Sequence, residues 1–114
     1  MKRGEIYYAN LDPVLGSETG KRRPVLIVSN DINNRAATTV TVLPITSNVT
    51  RVYPFEVYLD KNDSGLSKPS KVQAQQIRTI SKQRITDKAV GSLNEELMGL
   101  VNEALRLHLS LQTS

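Results

Sequence analysis

The sequence predicts an α+β chain: a small antiparallel β-barrel or sheet with a long helix appended at its end. Three observations carry that expectation. Short apolar, β-branched runs fill the stretch from Ile6 to Ile80. One leucine-rich run with helical spacing closes the chain. Strands first and a helix last favour segregated α+β packing over alternating βα units. No linker, repeat or low-complexity tract interrupts the 114 residues. One domain over residues 1–114, with one modest core, is therefore expected.

Ile6–Leu11 reads as the first strand, halted by Asp12-Pro13. Pro24–Asn30 follows as a near-continuous apolar run, the pattern of a central strand covered on both faces. Proline at its first position is tolerated, because a strand start can spare one N–H. Asp31–Arg35 is turn chemistry or a single helical turn. Thr38–Ile45 is a β-branched strand, bent or at an edge near Pro44. Val52–Leu59 alternates and predicts a fourth strand, and Asn62–Gly65 a turn. Ser70–Gln75 and Ile77–Ile80 are short strand candidates. Ser92 and Glu95 have capping-box spacing. Leu93, Leu97, Leu100, Ala104, Leu107 and Leu111 then mark one helix face. That face either packs on the sheet or meets a second copy of the chain.

The net charge is +4 and the sequence pI about 9.6, which suits a polyanionic partner or plain lysine-borne solubility. No cysteine is present, which removes disulfides, thiolate metal sites and cysteine nucleophiles. The start lacks the apolar core of a signal peptide. No apolar run approaches the ~20 residues of a membrane span, so a cytoplasmic protein with no membrane contact is expected.

His108 is the sole histidine, far in sequence from every basic cluster, so a histidine acid–base pair is excluded. The carboxylates Glu5, Asp12, Glu18, Asp31, Glu56, Asp60 and Asp63 show no divalent-metal spacing. No metal or cofactor is expected. The richest segment is the loop from Asp12 to Pro24, with Glu18, two glycines and the cations Lys21, Arg22 and Arg23. Arg23 precedes a proline and is thereby held extended. A fixed guanidinium can grip two phosphate oxygens and stabilise charge developing at phosphorus. Thr46, with Ser47 and Asn48 beside it, ends a neighbouring strand and offers hydrogen-bond donors to the same phosphate. A second basic region runs from Lys68 to Lys88 with an excess of +5, more than the whole chain's +4. There Lys71 and Arg78 would neutralise phosphates, while Gln73, Gln75 and Gln76 would read base edges. Tyr53 and Phe55 either stack on unpaired bases or, for Phe55, fill core.

Met1–Pro13, Gly16-Ser17-Glu18, Arg23–Asn30, Pro44–Ser47, Tyr53–Val57 and Gln76–Ile80, in that order and spacing, resemble the MazF/PemK family of toxins from toxin–antitoxin pairs. The resemblance runs from the first residue through the terminal helix. It implies an SH3-like barrel and a homodimer whose groove holds single-stranded RNA. It implies a sequence-specific, metal-independent endoribonuclease that uses the RNA 2′-hydroxyl and leaves a 2′,3′-cyclic phosphate and a 5′-hydroxyl. Arg23 and Thr46 fall on the family's catalytic arginine and threonine, and Glu18 on its loop glutamate. The implied partner is a MazE-like antitoxin whose acidic tail covers the basic groove. Gln75 departs from several relatives that carry an acid there, which would leave Glu18 as the only nearby carboxylate or Arg23 and Thr46 acting alone; Arg23 is assigned to electrostatic stabilisation and the base stays open. A topoisomerase poison on a related barrel, or an RNA-binding barrel without turnover, are the competing functions.

Overall fold

A computed structural model describes residues 1–112. The remaining two residues of the domain expected over 1–114 lie outside the described residues. Seven strands form one curled antiparallel sheet: β1 (Glu5–Asn10), β2 (Arg22–Ile27), β3 (Thr39–Thr46), β4 (Glu56–Leu59), β5 (Ser70–Gln73), β6 (Arg78–Ser81) and β7 (Gly91–Ser92). Two short helices, α1 (Asp31–Ala36) and α2 (Lys61–Ser64), sit in connections, and α3 (Glu95–Leu109) closes the chain. The path across the sheet is β4-β5-β3-β2-β1-β7, with β6 on β3. The expected α+β class, a half-barrel with a terminal helix, is what forms.

Strand β3 turns the corner. Its first half pairs with β6 through Thr39↔Ser81 to Val42↔Arg78. Its last residues leave β6 for β5 through Ile45↔Val72 and Thr46↔Lys71. Pro44 lies between the two pairings and lacks the N–H that a straight ladder would use. The bend read from Pro44 thus curls the sheet.

Both faces of β2 are buried, as its apolar run predicts. One face, with Leu26, joins Ile6, Leu43, Ile45 and Val72 under α3. The other, with Val25 and Ile27, joins Ala9, Leu11, Val40 and Val42 inside the curl. Each such aliphatic side chain contributes about 1.5–3 kcal/mol when fully buried.

Several expectations change. Asn62–Gly65, expected as a turn, completes α2 and its Gly65 cap. The fourth strand begins at Glu56, not Val52, because the Arg51–Phe55 segment is held by side chains instead of a ladder. The cap of α3 is Asn94, whose side chain accepts the Leu97 N–H at 2.9 Å. Ser92 is engaged instead in β7, opposite Glu5. The buried line of α3 runs through Leu97, Val101, Ala104 and Leu105. Leu100, Leu107 and Leu111 of the expected stripe face outward, each more than half exposed.

Candidate active site

The ladder of β2 with β3 runs Ile27↔Val42, Leu26↔Leu43, Val25↔Pro44. Two residues further along that register, Arg23 stands opposite Thr46, and both side chains take the same face. Arg23 and Thr46 do line one cavity of about 380 Å³, together with Glu18, Lys21, Gln73 and Asp12. The Arg23 Nε donates to the Gly20 carbonyl at 3.1 Å. This anchors the guanidinium while its two terminal nitrogens make no hydrogen bond among the described residues. The Thr46 Oγ1 accepts the Asn48 N–H at 3.2 Å, so its own proton remains to be donated.

The long β1–β2 loop is fastened over this cavity. Asp12 accepts the Lys21 N–H at 2.8 Å, and Glu18 accepts the Leu15 N–H at 2.7 Å. Gln73 accepts from the Thr19 hydroxyl at 2.8 Å, and Gln76 from the Thr19 N–H at 3.1 Å. Arg78 and Arg84 donate to the carbonyls of Leu11 and Asn10 at the loop's start, at 2.9 and 3.0 Å. Gly20 is where the loop folds tightest. A Cβ there would sit 2.5 Å from Val14 Cγ2 and 2.6 Å from Asp12 Oδ1. Glu18, Gln75, Gln76 and Arg78 line an adjoining cavity of about 510 Å³.

Lys71 sits apart from the open cations. Its ammonium donates to Glu56 Oε1 at 2.9 Å and to the Arg51 carbonyl at 2.6 Å, with Lys71 8% and Glu56 6% exposed. Glu56 also accepts the Tyr53 N–H at 3.0 Å and the Gln75 amide at 2.6 Å. Burial would raise the Glu56 carboxyl, but the hydrogen bonds from Tyr53, Gln75 and Lys71, with the Lys71 charge, outweigh it and hold the group below its ordinary value. So the acid missing at Gln75 reappears beside it, from a different strand, already fully engaged. Tyr53 and Phe55 stack with centroids 5.4 Å apart, and Phe55 meets His108 at 6.2 Å.

Of the residues singled out from sequence, Arg23, Thr46, Glu18, Lys21 and Gln73 thus come together. Gln75, Gln76 and Arg78 adjoin them. Arg22 and Ser47 line a cavity on the opposite face. Asn48 begins the Asn48–Phe55 loop that carries Tyr53, Phe55 and Arg51. Asp12 and Glu56 were missed as parts of this region. Asp12 was visible only as a strand stop, and Glu56 only as one position of an alternating strand. No group of His, Cys, Asp or Glu that could hold a metal ion occurs among the described residues. No described helix is long and apolar enough to cross a membrane.

Residues 2–109 match the family model of the PemK-like, MazF-like toxins of type II toxin–antitoxin systems. The chain is 45% identical to the endoribonuclease EndoA of Bacillus subtilis, covering 97% of this chain and 96% of that one. It is 43% identical to the endoribonuclease MazF9 of Mycobacterium tuberculosis, covering 97% and 98%. A solved endoribonuclease from a mycobacterial species, in complex with its cognate antitoxin, superposes with a TM-score of 0.80 at 29% identity, covering 100% and 99%. The chain belongs to the PemK-like, MazF-like family of toxins.

Proposed function

We propose that this chain is a sequence-specific endoribonuclease toxin. It cleaves single-stranded RNA in the cytoplasm without a metal ion, as a homodimer, and is neutralised by a MazE-like antitoxin with an acidic tail. The observation that carries the reading is Arg23 opposite Thr46 in one cavity, with unengaged guanidinium nitrogens aimed at no protein partner.

The chemistry follows from that pair. The RNA 2′-oxygen attacks the adjacent phosphorus and the bond to the 5′-oxygen breaks. A 2′,3′-cyclic phosphate and a 5′-hydroxyl result, and no water is consumed in the step. The nucleophile belongs to the substrate, so the protein has only to align it and stabilise charge. Arg23 holds the non-bridging oxygens, where negative charge grows in the transition state. Thr46 donates its hydroxyl proton to the same phosphate. Glu18 takes the proton of the 2′-hydroxyl; the departing 5′-oxygen is protonated through a water molecule, which the proton released by Glu18 restores. A guanidinium holds its proton too tightly to serve as the base. Glu56 is disqualified by its three hydrogen bonds.

Brief digestion of a long RNA, with mapping of the new 5′ ends, tests the reading. Recurrent cuts within one short motif, bearing 5′-hydroxyl ends, are expected. RNA left whole by pure protein points instead to a topoisomerase poison or a non-cleaving RNA binder.

A further inference from the structure

Strand β2 presents Arg22 and Arg23 to opposite faces of the sheet. Arg23 looks into the cavity of Thr46. Arg22 looks the other way, and the same register sets it opposite Ser47. The pairing of β3 with β5, carried one residue past Thr46↔Lys71, sets Ser47 opposite Ser70. A cavity of about 240 Å³ opens there, lined by Arg22, Lys68, Tyr8 and the serines Ser47, Ser67 and Ser70. No carboxylate lines it. Its apolar floor is Ile45, fully buried, and Leu66, 8% exposed.

The cations of this cavity are unlike Lys71. Arg22 lies with its Cζ 4.4 Å over the Tyr8 ring, which fixes the guanidinium plane by its face. Its N–H edges make no hydrogen bond among the described residues. Lys68 forms no ion pair among them either; the two pairs present are Lys71–Glu56 and Arg106–Glu103. The Ser70 hydroxyl donates to the Lys68 carbonyl at 3.0 Å and steadies the turn that carries Lys68. One cation held by a ring face, a second beside it, several hydroxyls and an apolar floor suit a single anion.

We propose that this cavity is a second phosphate subsite, on the face of the sheet opposite Thr46, for the linkage next to the scissile one. It rests on the nuclease reading for its neighbour but not for its chemistry. Arg23 lines both cavities. The two cavities therefore adjoin at this residue, and a nucleic-acid strand supplies one anion per nucleotide. The strand crosses the open ends of β2 and β3, with its scissile phosphate on Arg23 and the adjoining one on Arg22 and Lys68.

The test uses a short DNA strand of mixed sequence, which lacks the 2′-hydroxyl and stays uncut. Its affinity is measured by fluorescence anisotropy across a salt series. The double substitution Arg22→Gln/Lys68→Gln should lower the slope of log affinity against log salt by about 0.7, the value for one single-strand phosphate. A matched loss of charge at the far end of β2, Lys2→Gln/Arg35→Gln, should leave the slope in place. An unchanged slope in the first variant, or an equal fall in both, overturns the subsite. So does a variant that loses binding of polyglutamate but keeps the strand, since the occupant is then an acidic protein segment. A protein that never cuts RNA yet shows the expected slope change loses the nuclease reading and keeps the subsite.

Discussion

Two lysine- and arginine-bearing regions lie side by side on this sheet, and they are built in opposite ways. At the mouth of β2 and β3, Arg23 is anchored through one nitrogen and leaves two without protein partners. Fifteen residues apart in sequence, Glu56 and Lys71 close on each other in the interior, where the Lys71 ammonium donates to a carboxylate and a backbone carbonyl. A cation without a partner beside a cavity is there for a ligand. A cation with a carboxylate and a carbonyl is there for the fold. The difference lies in the partner and in burial, not in the residue type.

The largest expected effect breaks the first region. Arg23→Ala should reduce single-turnover cleavage of single-stranded RNA by about 10²–10³-fold or more, the usual loss for one transition-state donor. Arg23 is only partly buried and makes one hydrogen bond, so its melting temperature should move little. Thr46→Val should cost less, about tenfold, because a neutral hydroxyl donates a weaker bond than a guanidinium. Full activity in Arg23→Ala would remove this side chain from the mechanism and make the mouth a binding surface.

The second region should respond in stability before activity. Lys71→Met leaves Glu56 charged, buried and short of its ammonium, a loss of about 3 kcal/mol in denaturant unfolding. The paired substitution Glu56→Gln/Lys71→Met should recover much of that, since no buried charge remains. The same pair has a pH signature. The folded protein holds the Glu56 carboxyl below its ordinary 4.5, so folding favours the carboxylate. The stability it contributes is complete above about pH 5 and fades as pH falls through the lowered value. Unfolding midpoints of wild type and Glu56→Gln should therefore converge in acid. A gap that stays constant as pH falls well below the ordinary carboxylate range would mean that Glu56 does not titrate with folding.

The contrast between these regions also explains what was legible in the sequence. Arg23 and Thr46 could be matched because strand order and a proline fix their placement locally. The two-faced burial of β2 was legible from its unbroken apolar run. Lys71 looked like a phosphate ligand because its charge is visible in the sequence and its partner is not. Glu56 reaches it only through the β4–β5 pairing, Tyr58↔Lys71 and Glu56↔Gln73. Gln73 and Gln76 likewise looked like base readers, yet their amide oxygens hold Thr19 and fasten the loop. The cap of α3 was misread for another reason. Ser92 has the capping-box glutamate three places on, but its pairing with Glu5 takes it into β7, and Asn94 caps the helix instead.

The smallest expected effect concerns groups outside both regions. Cleavage should be unchanged by EDTA, because no cluster of carboxylates or histidines able to hold a metal ion occurs among the described residues. His108→Ala should be equally silent in the pH profile of cleavage. His108 is exposed on α3 and touches the Phe55 ring, on a loop that Lys71 and Glu56 already hold. A guanidinium keeps its charge across the whole working range, so no imidazole-like break near pH 6.5 should appear. Strict dependence on added magnesium, or a cleavage profile that shifts when His108 is removed, would move the chemistry away from the mouth of β2 and β3.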